Sequence, residues 1–213
     1  MVTVEPASAE EAPAETPTRS KAVGREFLET LVLTAVVFLG IHVVAQNYTV
    51  DGHSMDPTLA NGQTMWVLKL VYWFHPAHTG DIVVIKYPKD PTQDFIKRVI
   101  GVPGDKVAVH DGHVIVNGVA LIEPYIMDMP DYTVPTFTIP DGNYWVLGDN
   151  RNNSNDSHIF GLVPAAYIIG QAWLTYWPPT LWGLVPQASF PNLPAPAETP
   201  SPAEQGVFVP ARS

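Results

Sequence analysis

The order of apolar and polar residues divides the chain into four parts. Residues 1–20 are rich in Ala, Glu, Pro, Ser and Thr and carry no apolar period, the composition of a disordered tail. From Phe27 to Ala45 the chain is apolar, broken only by Glu29, Thr30, Thr34, Gly40 and His42. Nineteen residues at 1.5 Å rise make about 28 Å of helix, close to the thickness of a bilayer core. From Tyr48 to Trp177 short apolar or alternating runs recur: Thr64–Leu70, Asp81–Lys86, Phe95–Gly101, Lys106–His110, His113–Asn117, Thr136–Ile139, Asn143–Leu147 and Gln171–Trp177. Asp111-Gly112 and Asn117-Gly118 between such runs are strong hairpin signals. From Pro178 to Ser213, nine of 36 residues are proline.

These patterns predict a mostly β protein, an antiparallel barrel or sandwich preceded by one N-terminal transmembrane helix. The expected organisation is a disordered cytoplasmic tail over 1–26, the transmembrane helix over 27–46, a β-rich domain over 47–177 and a Pro-rich extended tail over 178–213. Arg19, Lys21 and Arg25 precede the apolar run, and none of the next twenty residues is Lys or Arg. The positive-inside rule then keeps the N-terminus in the cytoplasm and the β domain outside it. A cleaved signal segment, with Val43 and Ala45 before a cut at Gln46, is a second reading of the run. A buried core helix is a third, but such a helix normally carries a polar stripe.

Composition narrows the function classes. With 11 basic against 21 acidic residues the formal charge is −10, opposite to the basic patch a nucleic-acid binder needs. Cysteine is absent, which removes disulfides, thiolate metal sites and a cysteine nucleophile. His75-Pro76-Ala77-His78 and His110-Asp111-Gly112-His113 pair histidines across turns without a third ligand, so no metal is expected.

Three segments carry candidate chemistry. Ser54 lies in Asp51-Gly52-His53-Ser54-Met55-Asp56-Pro57, where a flexible glycine precedes it and a proline stiffens the exit. A serine so held can aim its hydroxyl and its own N–H at one point, as an acyl-transfer nucleophile must, but turns attract Gly, Asp and Ser in any case. Lys97 lies in Asp94-Phe95-Ile96-Lys97-Arg98-Val99-Ile100, a strand with apolar residues on both faces. Arg98 there demands a carboxylate partner. Lys97 can instead shed its proton. A lysine with pKa about 10.4 is neutral in about one molecule in 2,500 at pH 7, and a drop of about three units, roughly 4 kcal/mol, would make it a usable base. Its competing reading is a stem that packs while the ammonium reaches water. The third segment, Gly148 to His158, is an unbroken polar loop with Asp149, Arg151 and Asp156 spaced for internal pairing and with Ser154 able to bond a lysine amine.

Together these segments resemble the boxes of the type I signal peptidases, membrane-bound Ser/Lys endopeptidases. The matching stretches are Gly52-His53-Ser54-Met55-Asp56-Pro57-Thr58-Leu59, Gly80-Asp81-Ile82-Val83-Val84, Lys97-Arg98-Val99-Ile100-Gly101-Val102-Pro103-Gly104-Asp105 and Gly148 to Ser157, in that order behind the apolar run. The resemblance implies that Ser54 is the nucleophile, Lys97 the general base and Ser154 the serine that orients the lysine. Asp149, Arg151 and Asp156 would hold the site by ion pairs and hydrogen bonds. It further implies a largely β catalytic domain and no cofactor. The implied partners are the signal peptides of secretory preproteins, cut after small residues at the first and third positions before the bond, and membrane lipid. A monomer is expected.

The sequence departs from the commonest family pattern in three places. Gly52 stands where some members carry an oxyanion-hole serine, Asn152 where an aspartate is frequent, and His158 where an arginine is frequent. Two competing readings remain on the residues alone. One is a Ser54-His158-Asp triad, which leaves Lys97 without a role. The other is a non-catalytic anchored β module that uses its aromatics to bind exported peptides.

Overall fold

The computed structural model describes residues 19–194, apart from the side chains of residues 19–23 and 41–43. The expected tail residues 1–18 and 195–213 lie outside the described residues. The chain divides into two compact units, Met1–His42 and Val43–Ser213.

The described residues of the first unit lie in one helix. Helix α1 spans Arg19–Val44, its second half dense in Leu, Val and Phe. Phe27, Leu31, Val32, Leu33, Val36 and Leu39 are all exposed, so no polar stripe faces out and no core takes them in. Arg25 Nε reaches Glu29 Oε1 at 2.7 Å one turn on, which keeps the first turns polar. Among the described residues no helix is long and apolar enough to cross a membrane, so the expected transmembrane helix over 27–46 is not found as a span. The helical segment also begins earlier and stops at Val44, because Ala45 already pairs as a strand.

Among the described residues of the second unit every strand pairing is antiparallel, as the alternating runs predict. Its strands in chain order are Ala45–Thr49 (β1), Thr64–Leu68 (β2), Ile82–Tyr87 (β3), Asp90–Gly101 (β4), Lys106–His110 (β5), His113–Val116 (β6), Val119–Ala120 (β7), Val134–Thr138 (β8), Asn143–Leu147 (β9), Val163–Pro164 (β10), Ile168–Trp177 (β11) and Gly183–Leu184 (β12). Single helical turns cover Val71–Phe74 (α2) and Ser157–Phe160 (α3). The larger sheet runs β1-β2-β11-β3-β4-β9-β10 with β12 on β11, and the smaller runs β7-β6-β5-β8. The two-residue turns at Asp111-Gly112 and Asn117-Gly118 join β5 to β6 and β6 to β7. Both residues of each turn have positive φ, 52° and 75° in the first and 52° and 81° in the second. That twist matches the strands and explains the Asp-Gly and Asn-Gly choices.

Three apolar clusters fill the unit. Met55, Leu59, Met65, Val67, Ile82, Val84 and Ala172 form the first, against the segment that carries Ser54. Ile100, Val107, Val116, Ile139, Trp145 and Leu147 form the second, between the two sheets. Val83, Ile85, Val99, Tyr144 and Val146 form the third. β4 passes through all of this. Its first residues are exposed, but from Lys97 to Gly101 every residue is buried, so the strand is covered on both faces there.

The Pro-rich stretch after Trp177 does not run free from its start. Within 178–194, β12 pairs with β11, Val185 enters the first cluster, and Phe190 and Leu193 pack on the second. Gln187 Oε1 accepts the Ile82 N–H at 2.6 Å, and the Ala188 N–H donates to Gly80 O at 3.1 Å. Prolines there do no harm because the strap needs few ladder bonds.

Candidate active site

Ser54 sits in a turn segment between β1 and β2 that is held from both sides. Met55 and Leu59 plug the first cluster, and the Leu59 N–H closes on Met55 O at 2.9 Å. Gly52, at φ 102°, donates its N–H to Asn61 Oδ1 at 3.0 Å. From the other side Asn150 donates its backbone N–H to Ser54 O at 3.1 Å and its amide to His53 O at 3.0 Å. Gly148 lies so close that a Cβ there would meet both Ser54 O and Ser154 Oγ. The close approach requires glycine, and it joins the polar loop to the serine segment. The Ser54 N–H donates to no group among the described residues.

Lys97 comes to the same point from β4, where it stands opposite Val83 of β3. Only 3% of its surface is exposed. Its Nζ lies 2.8 Å from Ser54 Oγ and 2.9 Å from Ile96 O, and it rides 5.2 Å from the centre of the Phe95 ring. Burial pulls the amine down to about 8 from the ordinary 10.5, against the opposing pull of the Asp156 and Asp149 carboxylates. At pH 7 about one molecule in ten then carries a neutral amine. The stem packs, and almost none of the side chain is exposed. A cleft of about 240 Å³ opens onto the pair, lined by Tyr48, Val50, Asp51, Ser54, Met55, Asp94, Phe95, Ile96, Lys97 and Asn155 among others.

The supporting charges pair differently from the internal pairing that their spacing suggests. Asp149 is fully buried and takes Arg98 in a two-pronged grip, Nε to Oδ1 at 2.8 Å and Nη2 to Oδ2 at 2.7 Å. Arg98 also donates to Gly80 O at 2.8 Å and lies 4.0 Å over the Tyr125 ring. Arg151 reaches out of the loop to Glu123, with both terminal nitrogens on its carboxylate, and donates Nε to Gly148 O at 3.1 Å. Asp156 accepts the Gly148 N–H at 2.8 Å, caps α3 through the His158 N–H at 3.2 Å, and meets His158 Nδ1 at 2.6 Å. The His158 ring stacks on Tyr132 at 4.0 Å.

Ser154 is buried beside Gly148, but among the described residues its hydroxyl has no hydrogen-bond partner and does not bond the lysine. Ser54 Oγ and Ile96 O take the amine instead. Asn152 ties the loop to the 129–131 segment, accepting from the Asp131 N–H and donating to Met129 O, each at 2.9 Å. A neutral amide can do both, which an aspartate could not. Glu123 and Tyr125 are the residues that sequence reasoning missed. They lie about 28 positions from Arg151 in an irregular stretch whose local pattern signals nothing. Among the described residues no group of three or more His, Cys, Asp or Glu could hold a metal ion.

The comparisons with known proteins agree on one family. Residues 24–177 match the family described as signal peptidase, peptidase S26. A protein of Synechocystis sp. named "Probable signal peptidase I-1" is 41% identical over 80% of this chain and 90% of its own length. A signal peptidase I of Leptolyngbya laminosa is 42% identical over 72% of this chain and 79% of its own. A signal peptidase IB of Staphylococcus aureus is 36% identical over 72% and 91%. A buried lysine against a serine hydroxyl, in a chain this similar over most of its length, leads to one assignment: the chain belongs to the signal peptidase I family of serine endopeptidases.

Proposed function

We propose that Ser54 and Lys97 form the catalytic dyad of an endopeptidase that removes N-terminal signal peptides from secretory preproteins. The observation that carries this reading is the 2.8 Å separation of Lys97 Nζ and Ser54 Oγ, with the lysine almost wholly buried. The amine, when neutral, accepts the serine proton across that distance. The alkoxide then attacks the scissile carbonyl, and the Ser54 N–H donates to the oxyanion. The lysine next hands its proton to the leaving amine, which departs with the mature chain. Water, deprotonated by the same amine, attacks the acyl-enzyme and releases the signal peptide and Ser54. Asp149, Arg151 and Asp156 keep the loop in contact with the serine segment. Ser154, buried beside Gly148, makes no hydrogen bond to the lysine among the described residues.

The substrate binds extended along the cleft as an added strand. Small side chains are accepted at the first and third positions before the bond. We also propose that the exposed apolar side chains of α1 hold the chain at the membrane, with Arg19, Lys21 and Arg25 on the cytoplasmic side and the β unit outside. No cofactor enters this chemistry.

Incubation of a labelled precursor with wild type and Lys97→Ala, with mass spectrometry locating the cut, tests the dyad. Wild type should cut once, after a small residue, and Lys97→Ala should fold and not cut. Cleavage by the variant at the wild-type rate would remove Lys97 from the mechanism.

A further inference from the structure

Beyond Trp177 the strap returns to the sheet at the start of β3. β12 pairs with β11, and the Val185 N–H donates to Trp173 O at 2.8 Å. Val185 joins the first cluster together with Ile82 and Val84. The ladder between β11 and β3 stops at Gln171 and Val83. One residue further, Ala172 keeps its partner on β2, but Ile82 has none on the β11 side. The Gln187 amide fills that gap. Its Oε1 accepts the Ile82 N–H at 2.6 Å, and its Nε2 donates to Ala172 O at 2.9 Å and Val185 O at 3.1 Å. A side-chain amide thus adds one rung to a backbone ladder. Ile82 is fully buried, and a buried N–H without a partner is costly.

The next residue of the strap meets the same strand end. The Ala188 N–H donates to Gly80 O at 3.1 Å, and that carbonyl also accepts Arg98 Nη1 at 2.8 Å. A Cβ at Gly80 would run into Ala188 O, so the close approach requires glycine. Across the ladder, Ile82 and Val83 face Arg98 and Lys97. The pairing of β4 with β9 begins at Arg98, so β3 is the one ladder neighbour of Lys97. The start of β3 therefore sets the backbone from which Lys97 reaches Ser54. Among the described residues none of 178–194 lines the cleft, so the strap acts on the reaction through β3.

We propose that Gln187 is a positioning residue for the dyad: its amide pins the start of β3 and so holds Lys97 within hydrogen-bond reach of Ser54. This rests on the dyad reading above and extends the support of the site into the Pro-rich stretch beyond Trp177.

Steady-state kinetics of the full chain on a labelled precursor, wild type against Gln187→Met, test the role. Methionine keeps the length of the side chain and loses the amide. A shift of Lys97 by less than 1 Å should lower kcat about tenfold at pH 7, with KM unchanged. The pH midpoint of kcat/KM should move up. A less tightly covered amine loses less hydration, while Asp156 and Asp149 still favour its charged form. Destabilisation alone moves neither quantity when the rate is referred to folded enzyme. Gln187→Leu, likewise without an amide, should give the same pattern. An unchanged kcat and midpoint in either folded variant overturns the positioning role, whatever the melting temperature does. So does failure of both variants to fold, since the strap would then be a structural element alone. If the wild type cuts no precursor, or Lys97→Ala cuts at the wild-type rate, the dyad reading fails and takes the role of Gln187 with it. An active wild type, an inactive Lys97→Ala and an unaltered Gln187→Met sink the role of Gln187 alone.

Discussion

The Arg98 guanidinium and the Asp149 carboxylate meet through two parallel hydrogen bonds, 2.8 and 2.7 Å long, at 1% and 0% side-chain exposure. Arg98 follows Lys97 on β4, and Asp149 opens the loop that touches Ser54. The pair thus clamps the strand bearing Lys97 to the loop that touches Ser54. A buried pair is weak evidence of net stability, but removing one partner strands the other charge.

Asp149→Ala should accordingly lose about 3–5 kcal/mol of stability, read as a lower denaturant midpoint at constant slope. Asp149→Asn, which retains an acceptor, should lose less. In whichever variant stays folded, the Lys97 amine loses a stabilising anion, so the pH midpoint of activity should move down. An upward shift would contradict the electrostatic account of the site.

The pH dependence of cleavage follows from the lysine. With Lys97 near 8, kcat/KM should rise about tenfold per pH unit from pH 6 to 7 and level off above about 8. A pH–rate profile on a peptide substrate measures this. A flat profile between pH 6 and 8 would mean that no group titrating near 8 limits the reaction.

Stability should move the opposite way when the amine is removed. The unfolded lysine titrates near 10.5 and the folded one near 8, so between those values the unfolded chain binds more protons and wild-type stability rises with pH. Below 8 both states are charged, and the folded state carries the whole cost of burying the cation, about 3 kcal/mol. Lys97→Met should therefore be more stable than wild type at pH 6, by up to that amount, with the gain fading towards pH 10. Thermal melts at three pH values would show it.

Gly148 sets the spacing between the loop and the serine segment. Gly148→Ala inserts a methyl into the Ser54 carbonyl and the Ser154 hydroxyl, so the backbone must give way. A displacement near 1 Å costs about a hundredfold in rate. The loss should fall on kcat rather than KM, since the far end of the cleft is untouched. Steady-state kinetics separate the two.

His158→Ala distinguishes the lysine mechanism from a histidine triad. His158 spends its Nδ1 on Asp156 and its ring face on Tyr132, and Ser54 Oγ bonds Lys97. Cleavage should fall by less than tenfold, where a triad would lose about a thousandfold or more.

Much of this protein was legible in the order of its residues. Alternation marked the strands because one face of each meets a core, and Asp-Gly and Asn-Gly marked the turns because both residues need positive φ. Lys97 and Arg98 stood out because two cations in an apolar strand demand compensation. What the residues could not say was which partner each charge takes. Arg151 finds the Glu123 carboxylate rather than an acid of its own loop, Asp149 crosses to Arg98, and Ser154 stays unbonded among the described residues. Those choices depend on segments far apart in the chain bringing their side chains within hydrogen-bond reach, and no local period records that distance. The lysine shows the same division. Its apolar neighbours foretold burial, but only the packed fold sets the balance between lost hydration and the Asp156 and Asp149 carboxylates, and so where its proton is released.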